Sequence, residues 1–129
     1  MADKIRVLLI APMERPRAIT IEHTLENLQN LVDGCIQALY PWEDSVGLIA
    51  CDDGKFNGSL PNRRLEDFDL IFGPFLIVGL TEDDFGSLDD EMIEKYTNKF
   101  AYPEMFFRAA DRKIMCFKLG SSELQYVIG

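Results

Sequence analysis

Lysine and arginine are missing from one long stretch of this 129-residue chain: none lies between Leu65 and Glu94. Histidine is scarce too, with His23 alone. The cysteines are three, Cys35, Cys51 and Cys116, far apart and without a CxxC pair. That composition leaves no zinc-ligand pattern. Odd in number and set in or beside apolar runs, the three read as buried free thiols. There is no glycine-rich phosphate loop of either standard spacing. No apolar run approaches the length of a membrane span. The charged start, Met1 to Arg6, leads into a run too short for a signal peptide, so the expected location is the cytoplasm. The Asn57-Gly58-Ser59 sequon then carries no meaning, since glycosylation needs export. Neither an internal repeat nor a low-complexity linker is present.

The stretch that lacks cations is rich in anions. Ten carboxylates fall there: Glu66, Asp67, Asp69, Glu82, Asp83, Asp84, Asp89, Asp90, Glu91 and Glu94. With 13 basic and 22 acidic residues overall, the net charge is −9, and the remainder of the chain is close to neutral. Such a protein repels a phosphate backbone, which argues against direct nucleic-acid binding.

Hydrophobic residues make up 47% of the chain, enough for one domain with a proper core. The expected organisation is a single domain over 1–129, with 108–129 an appended hairpin or tail. Two apolar runs, 46–51 and 70–80, are rich in Val, Ile and Phe and read as core strands. Between them, Asp53-Gly54, Asn57-Gly58 and Pro61-Asn62 offer three turns in a polar loop. Gly73-Pro74 interrupts the second run, which marks an edge, a bulge or a break, because proline removes a ladder donor. Residues 4–11 and 18–22 form a predicted hairpin. Thr24 is placed to cap a helix of about ten residues carrying Leu25, Leu28, Leu31 and Val32 on one stripe, with Gly34 stopping it. Residues 35–40 return as a strand. Ser87 with Asp90 suggests a capping box for a second helix, roughly 88–99, with acids in its first turn and Lys95 and Lys99 toward its end. Residues 114–119 read as a strand, and 124–128 as a last edge strand or simply a mobile end. The expected fold is therefore α+β, with a mixed or antiparallel sheet of five to six strands packed against two helices, about 24–33 and 88–99.

Few residues carry a chemical suggestion. Lys55, Asn62, Arg63 and Arg64 form the only basic cluster of the central region. Two guanidiniums beside turn backbone can hold a phosphate or carboxylate, or can simply neutralise Glu66, Asp67 and Asp69. Trp42 follows a turn at Pro41 and suits the edge of a core or the anchoring of a partner. Asp52 and Asp53 come with no nucleophile or second polar cluster, so they read as turn carboxylates. Glu82-Asp83-Asp84 lacks the ordered ligand alternation of a calcium loop, so no metal is expected. His23, just before the first helix cap, reads as solvated or helix-capping, a lone histidine without a positioned Ser, Cys or carboxylate partner. No cofactor is implied, no catalytic residue stands out, and the expected protein is not an enzyme.

One resemblance gathers these pieces. Leu28-Gln29-Asn30-Leu31-Val32-Asp33-Gly34, Asp53-Gly54-Lys55, Leu60-Pro61-Asn62-Arg63, residues 69–79 and Phe85-Gly86-Ser87-Leu88 occur in an order that resembles a small family of unknown function. That family is found in Gram-positive gut bacteria and in their plasmids, conjugative elements and phages. The match runs from about Ile5 to Phe107. This chain is more acidic and is shorter between Arg64 and Asp69, and it carries its own tail after Phe107. The resemblance supplies no activity and no catalytic residue. It implies a mobile-element setting, in which small accessory proteins act by binding other proteins.

Three functions follow as expectations. The first is a non-catalytic accessory or regulatory protein that binds a protein partner, with Glu66, Asp67, Asp69, Glu82, Asp83, Asp84 and Trp42 as the partner surface. The second is an acidic inhibitor whose carboxylates stand in for nucleic-acid phosphates and so block a host nuclease or defence protein. The third is a sensor or sequestering protein for a small anion, with its pocket beside Lys55, Asn62 and Arg63. Self-association is a further expectation, through an exposed edge at Phe72, Gly73-Pro74 and Phe75.

Overall fold

Apolar runs that do not alternate become strands covered on both faces. A computed structural model of the chain describes residues 3–52, 60–65, 69–108, 110, 114–118 and 124–127. In chain order its elements are β1 (Lys4–Ile10), β2 (Arg17–Glu22), α1 (Leu25–Val32), β3 (Ile36–Leu39), β4 (Val46–Cys51), β5 (Pro61–Leu65), β6 (Asp69–Phe72), β7 (Phe75–Leu80), β8 (Phe85–Gly86), α2 (Asp90–Lys99), β9 (Glu104–Arg108), β10 (Ile114–Lys118) and β11 (Leu124–Val127). The main sheet is six-stranded, in the order β2-β1-β7-β4-β3 with β8 also on β7, and every pairing is antiparallel. The fold is α+β, with this sheet packed against both helices.

The two faces have separate cores. Val7, Leu9, Ile49, Leu76 and Val78 meet Leu28 and Val32 of α1. Leu8, Ile10, Leu48, Phe75 and Ile77 meet Leu65 and Ile71 of the β5–β6 ribbon together with Tyr96 and Phe100 from α2 and its end. Each such side chain contributes roughly 1.5–3 kcal/mol of transfer free energy. Coverage on both sides explains why the central strands read as unbroken hydrophobic runs. The outer strand β2 does alternate, with Ile19 and Ile21 turned toward the α1 side.

The helix ends differ in detail from the sequence expectation. Thr24 caps α1 as its spacing predicts, its side chain accepting the Asn27 N–H at 3.1 Å. Asp33, and not Gly34, takes the left-handed turn that ends the helix, with φ 63°. Aspartate is one of the few side chains that tolerates this region. Asp89, and not Ser87, caps α2, its Oδ1 accepting the Met92 N–H at 2.8 Å. Ser87 serves the sheet. β7 pairs with β1 only at Leu8–Ile10, and beyond that edge Ser87 Oγ accepts the Arg6 N–H at 2.9 Å while the Leu88 N–H donates to the Arg6 carbonyl at 2.8 Å. Of the thiols, Cys51 is buried as expected, but Cys35 is exposed, because it lies ahead of β3 rather than within it.

Gly73-Pro74 is a break. Gly73 has φ 79°, which a glycine adopts without strain, and it separates β6 from β7. Phe75 beyond it is fully buried, in a strand with β1 on one side and β4 on the other. At Phe75 the edge expected for self-association is therefore occupied by the protein's own strands, while Phe72 lies in β6, which pairs with β5.

Pro61-Asn62 is no turn either. It opens β5, and the register with β6 shifts between Pro61 and Arg63, so Asn62 is the extra residue of a bulge. The bulge turns Asn62 inward. Its amide donates to the Ile10 carbonyl, where β1 ends, and to the Gly73 carbonyl, where β6 breaks, both at 2.8 Å. Its Oδ1 accepts from Arg63 Nη1 at 2.9 Å. Arg63 is itself fully buried. Its guanidinium donates to the Phe100 carbonyl at the end of α2, at 3.2 and 3.4 Å, and to the Glu14 carbonyl in the β1–β2 connection. The cation thus meets the negative end of the helix dipole and satisfies a carbonyl that the helix leaves over. Burial draws the Arg63 pKa below its ordinary value, and the buried carboxylate of Glu104 acts the other way.

Arg63→Ala is expected to destabilise the protein by about 3–5 kcal/mol, the cost of opening a buried charged network on one side. Arg63→Lys recovers only part of this, since an ammonium lacks the planar fork. Urea denaturation of the three proteins measures both effects; equal midpoints for all three contradict the role assigned to this side chain.

Candidate partner-binding surface

The antiparallel register brings several loops to one end of the main sheet: the start of β1, the end of β2, the connection before β4 and the segment after β7. The N-terminus of α2 follows directly. Exposed carboxylates collect here, namely Asp3, Glu22, Glu43, Glu82, Asp83, Asp84 and Asp89, with Asp44 half-buried among them. Three shallow depressions run together across this end, sharing Asp44 and Leu80. One, of about 310 Å³, lies between Asp44-Ser45 and Ser87-Leu88-Asp89. The next, of about 410 Å³, is bounded by Tyr40 and the acidic turn 81–84. The third, of about 550 Å³, follows Trp42 and Glu43 to Lys95 and Lys99.

Each wall has a local cause. The turn after β7 is closed by Thr81, whose N–H donates to the Asp84 carbonyl at 2.8 Å and whose hydroxyl oxygen accepts the Asp84 N–H at 3.1 Å. Glu82 and Asp83 are left at the tip, facing water. Asp84 is fixed: Oδ1 accepts the Phe85 N–H at 2.7 Å, and Oδ2 lies 3.1 Å from His23 Nε2. The His23 contact, followed by the Phe85 N–H, holds the Asp84 pKa below its ordinary value. Gly79 allows the segment to lie this close, because a Cβ there would stand 2.1 Å from the Ser87 carbonyl oxygen.

The second wall is aromatic. Trp42 packs on Tyr96 with ring centroids 4.8 Å apart and on Phe100 at 6.0 Å, which seats the 40–45 connection on α2. Asp44 follows it inward, and its Oδ2 accepts from Lys95 Nζ and from the Tyr96 hydroxyl at 2.8 Å. Those two hydrogen bonds, the lysine's first, hold the Asp44 carboxyl below its ordinary pKa. Tyr40 is the most exposed aromatic of this surface, at 60%.

The residues singled out in the sequence are thus distributed over several places. Glu82, Asp83, Asp84 and Trp42 share this surface. Lys55, Asp53, Glu66 and Asp67 lie outside the described residues, and Asp69 sits opposite Leu65 in the ribbon. Asn62 and Arg63 are inside the fold, where all the amide and guanidinium donors meet the chain's own carbonyls and amide oxygen, so they leave no open anion seat. Arg64 stands 3.9 Å from the buried Glu104. Tyr40, Glu43 and Asp44 were not singled out; their only cue was proximity to Trp42. The link between His23 and Asp84 spans sixty residues and had no local signal. Among the described residues no helix is long and apolar enough to cross a membrane.

The Asp44 pKa is lowered in the folded protein, so its contribution to stability is complete above 3.8, the ordinary value, and is lost as pH falls from there through the folded value. Asp44→Asn is expected to flatten the acid limb of a stability-against-pH curve over that window while leaving its neutral limb parallel to wild type. Thermal melts across the acid range check it; an unchanged acid limb contradicts the assignment.

No curated protein and no solved structure matches the chain. A family model does, over residues 5–101, which span the main sheet, both helices and the β5–β6 ribbon, and by that match the chain belongs to the family described as a domain of unknown function, DUF3846.

Proposed function

We propose that this protein is a non-catalytic binding module that takes a basic segment of a partner protein at the acidic end of its main sheet. The observation that carries this is the gathering of exposed carboxylates at this end of the sheet, those of 43–44, 82–84 and 89 lining shallow, partly aromatic depressions. Lysine and arginine side chains are the natural complement of such a surface, and Tyr40 offers an exposed ring over which a cation can stack. A partner whose basic face otherwise holds phosphates fits the same description, so an inhibitor of a nucleic-acid-binding enzyme is a special case of this reading. An anion sensor has lost its main donors to the interior. In the mobile-element setting that the family resemblance implies, the module is an accessory protein acting on a protein of its host.

A labelled arginine-rich peptide serves as the probe. Binding is expected at low ionic strength and should weaken by about tenfold or more between about 50 and 300 mM salt, as charge contacts are screened. Glu82→Lys combined with Asp83→Lys should weaken it by a similar factor, because both side chains face water at the tip of the turn, whereas Arg17→Glu on β2 should not. Absent binding, or binding indifferent to salt and to the turn substitutions, overturns the proposal.

A further inference from the structure

Two lysines of α2 already sit where a partner's cations would. Lys95 and Lys99 are about one helical turn apart, so they project from the same side of α2. Both line the third depression, of about 550 Å³, together with Trp42, Glu43 and Asp44. The linings of the other two depressions hold no lysine or arginine. Lys95 Nζ donates to Asp44 Oδ2 and stands 5.7 Å from the centre of the Tyr96 ring. Lys99 Nζ stands 5.7 Å from the centre of the Trp42 ring and 5.9 Å from that of Phe100. An ammonium on a carboxylate and an ammonium over an indole are the contacts that such a surface offers a cation. Lys99 closes the helix, where the dipole favours a cation. Lys95 stands in the middle of α2, and its bond goes to a segment fifty-one residues away, so the dipole does not account for it.

The geometry points to Lys95 and Lys99 as an autoinhibitory occupant of this depression, a pair that an incoming basic segment must displace. This rests on the reading of the acidic end as a cation-binding surface, and adds how that surface is held closed. Asp44 is the carboxylate in question. Among those gathered at this end it is the half-buried one, the others being exposed. An ion pair drawn away from bulk water is screened less, so a cation gains more at Asp44 than at Glu82 or Asp83 on the tip of the turn. Trp42 supplies an indole, the ring that holds a cation best. The protein's own side chains engage both groups. Tethered to the helix, they act at a high effective concentration, so a free basic segment competes at a disadvantage. The Lys95 side chain is 55% exposed and Lys99 is exposed too, so each can swing into water without opening the core. Asp44 then keeps its hydrogen bond from the Tyr96 hydroxyl, and the seat stays formed for the incoming cation.

The labelled arginine-rich peptide tests it, at about 100 mM salt, where charges more than about 10 Å apart are largely screened. Lys95→Met combined with Lys99→Met is expected to bind the peptide about tenfold or more tightly than wild type. Arg15→Met combined with Arg17→Met makes the same change of net charge at the other end of the sheet, and should alter affinity by less than about twofold. Adding Asp44→Asn to the lysine pair should remove most of the gain. Where wild type binds, a lysine variant no tighter than the arginine variant overturns the inference and leaves the binding surface standing. Binding by the lysine variant where wild type shows none supports it, as a seat closed in the native chain. A gain that survives Asp44→Asn overturns it, because the lysines then act elsewhere. No binding by either protein rejects this inference and the proposed function together. If the lysine variant fails to fold, chemical acetylation of wild type decides instead: Lys95 should react faster with the peptide bound, and an unchanged or slower rate rejects the displacement.

Discussion

Two adjacent residues, Asn62 and Arg63, tie the ends of several elements together through their side chains. The end of β1, the break between β6 and β7, the β1–β2 connection and the last carbonyl of α2 all present backbone oxygens toward one buried point. An amide and a guanidinium answer them. Without these donors the carbonyls would be buried unpaired, each at a cost of roughly 1–3 kcal/mol. The bulge in β5 is what makes this possible, because a regular strand would turn Asn62 the other way. So the ribbon β5–β6 is more than a cover for the core. It fixes where α2 ends, and hence where the helix lies across the sheet.

Once α2 is fixed there, the opposite end of the sheet takes its character. Trp42 rests on Tyr96 and Phe100, so the connection before β4 is seated on the helix, and Asp44 is drawn to Lys95 and Tyr96. Ser87 and Leu88 extend the edge of β1, which brings the start of α2 beside that connection. The acidic surface is therefore a consequence of packing at the helix, held by hydrogen bonds on both flanks. The exposed carboxylates gather at the end of the sheet where β1 begins, and β9 packs on the ribbon through Phe106 and Leu70.

Much of the architecture was legible before any coordinates. The two apolar runs, the hairpin from Lys4 to Glu22, and the apolar stripe of the first helix each carry a pattern that local physics enforces. The candidate surface was legible only in part. Glu82, Asp83, Asp84 and Trp42 could be named, since acids at a turn and a tryptophan beside a proline are visible in a line of text. Their neighbours could not, because what joins His23 to Asp84, or Asp44 to Lys95, is the strand order. Lys55, Glu66 and Asp67 fall outside the described residues. The basic cluster misled for a definite reason: an arginine pair beside Pro61-Asn62 has the same composition whether it faces water or fills the interior, and only the bulge decides.

By itself the sequence determined the class of fold, the main strands and helices, and the excess of negative charge, because each of these is set by residues near one another in the chain. The tertiary structure alone decided which carboxylates share a surface and which guanidinium is buried. Those outcomes rest on contacts between residues tens of positions apart and on a one-residue shift in strand register, and a one-residue shift exchanges inside for outside without altering the local pattern.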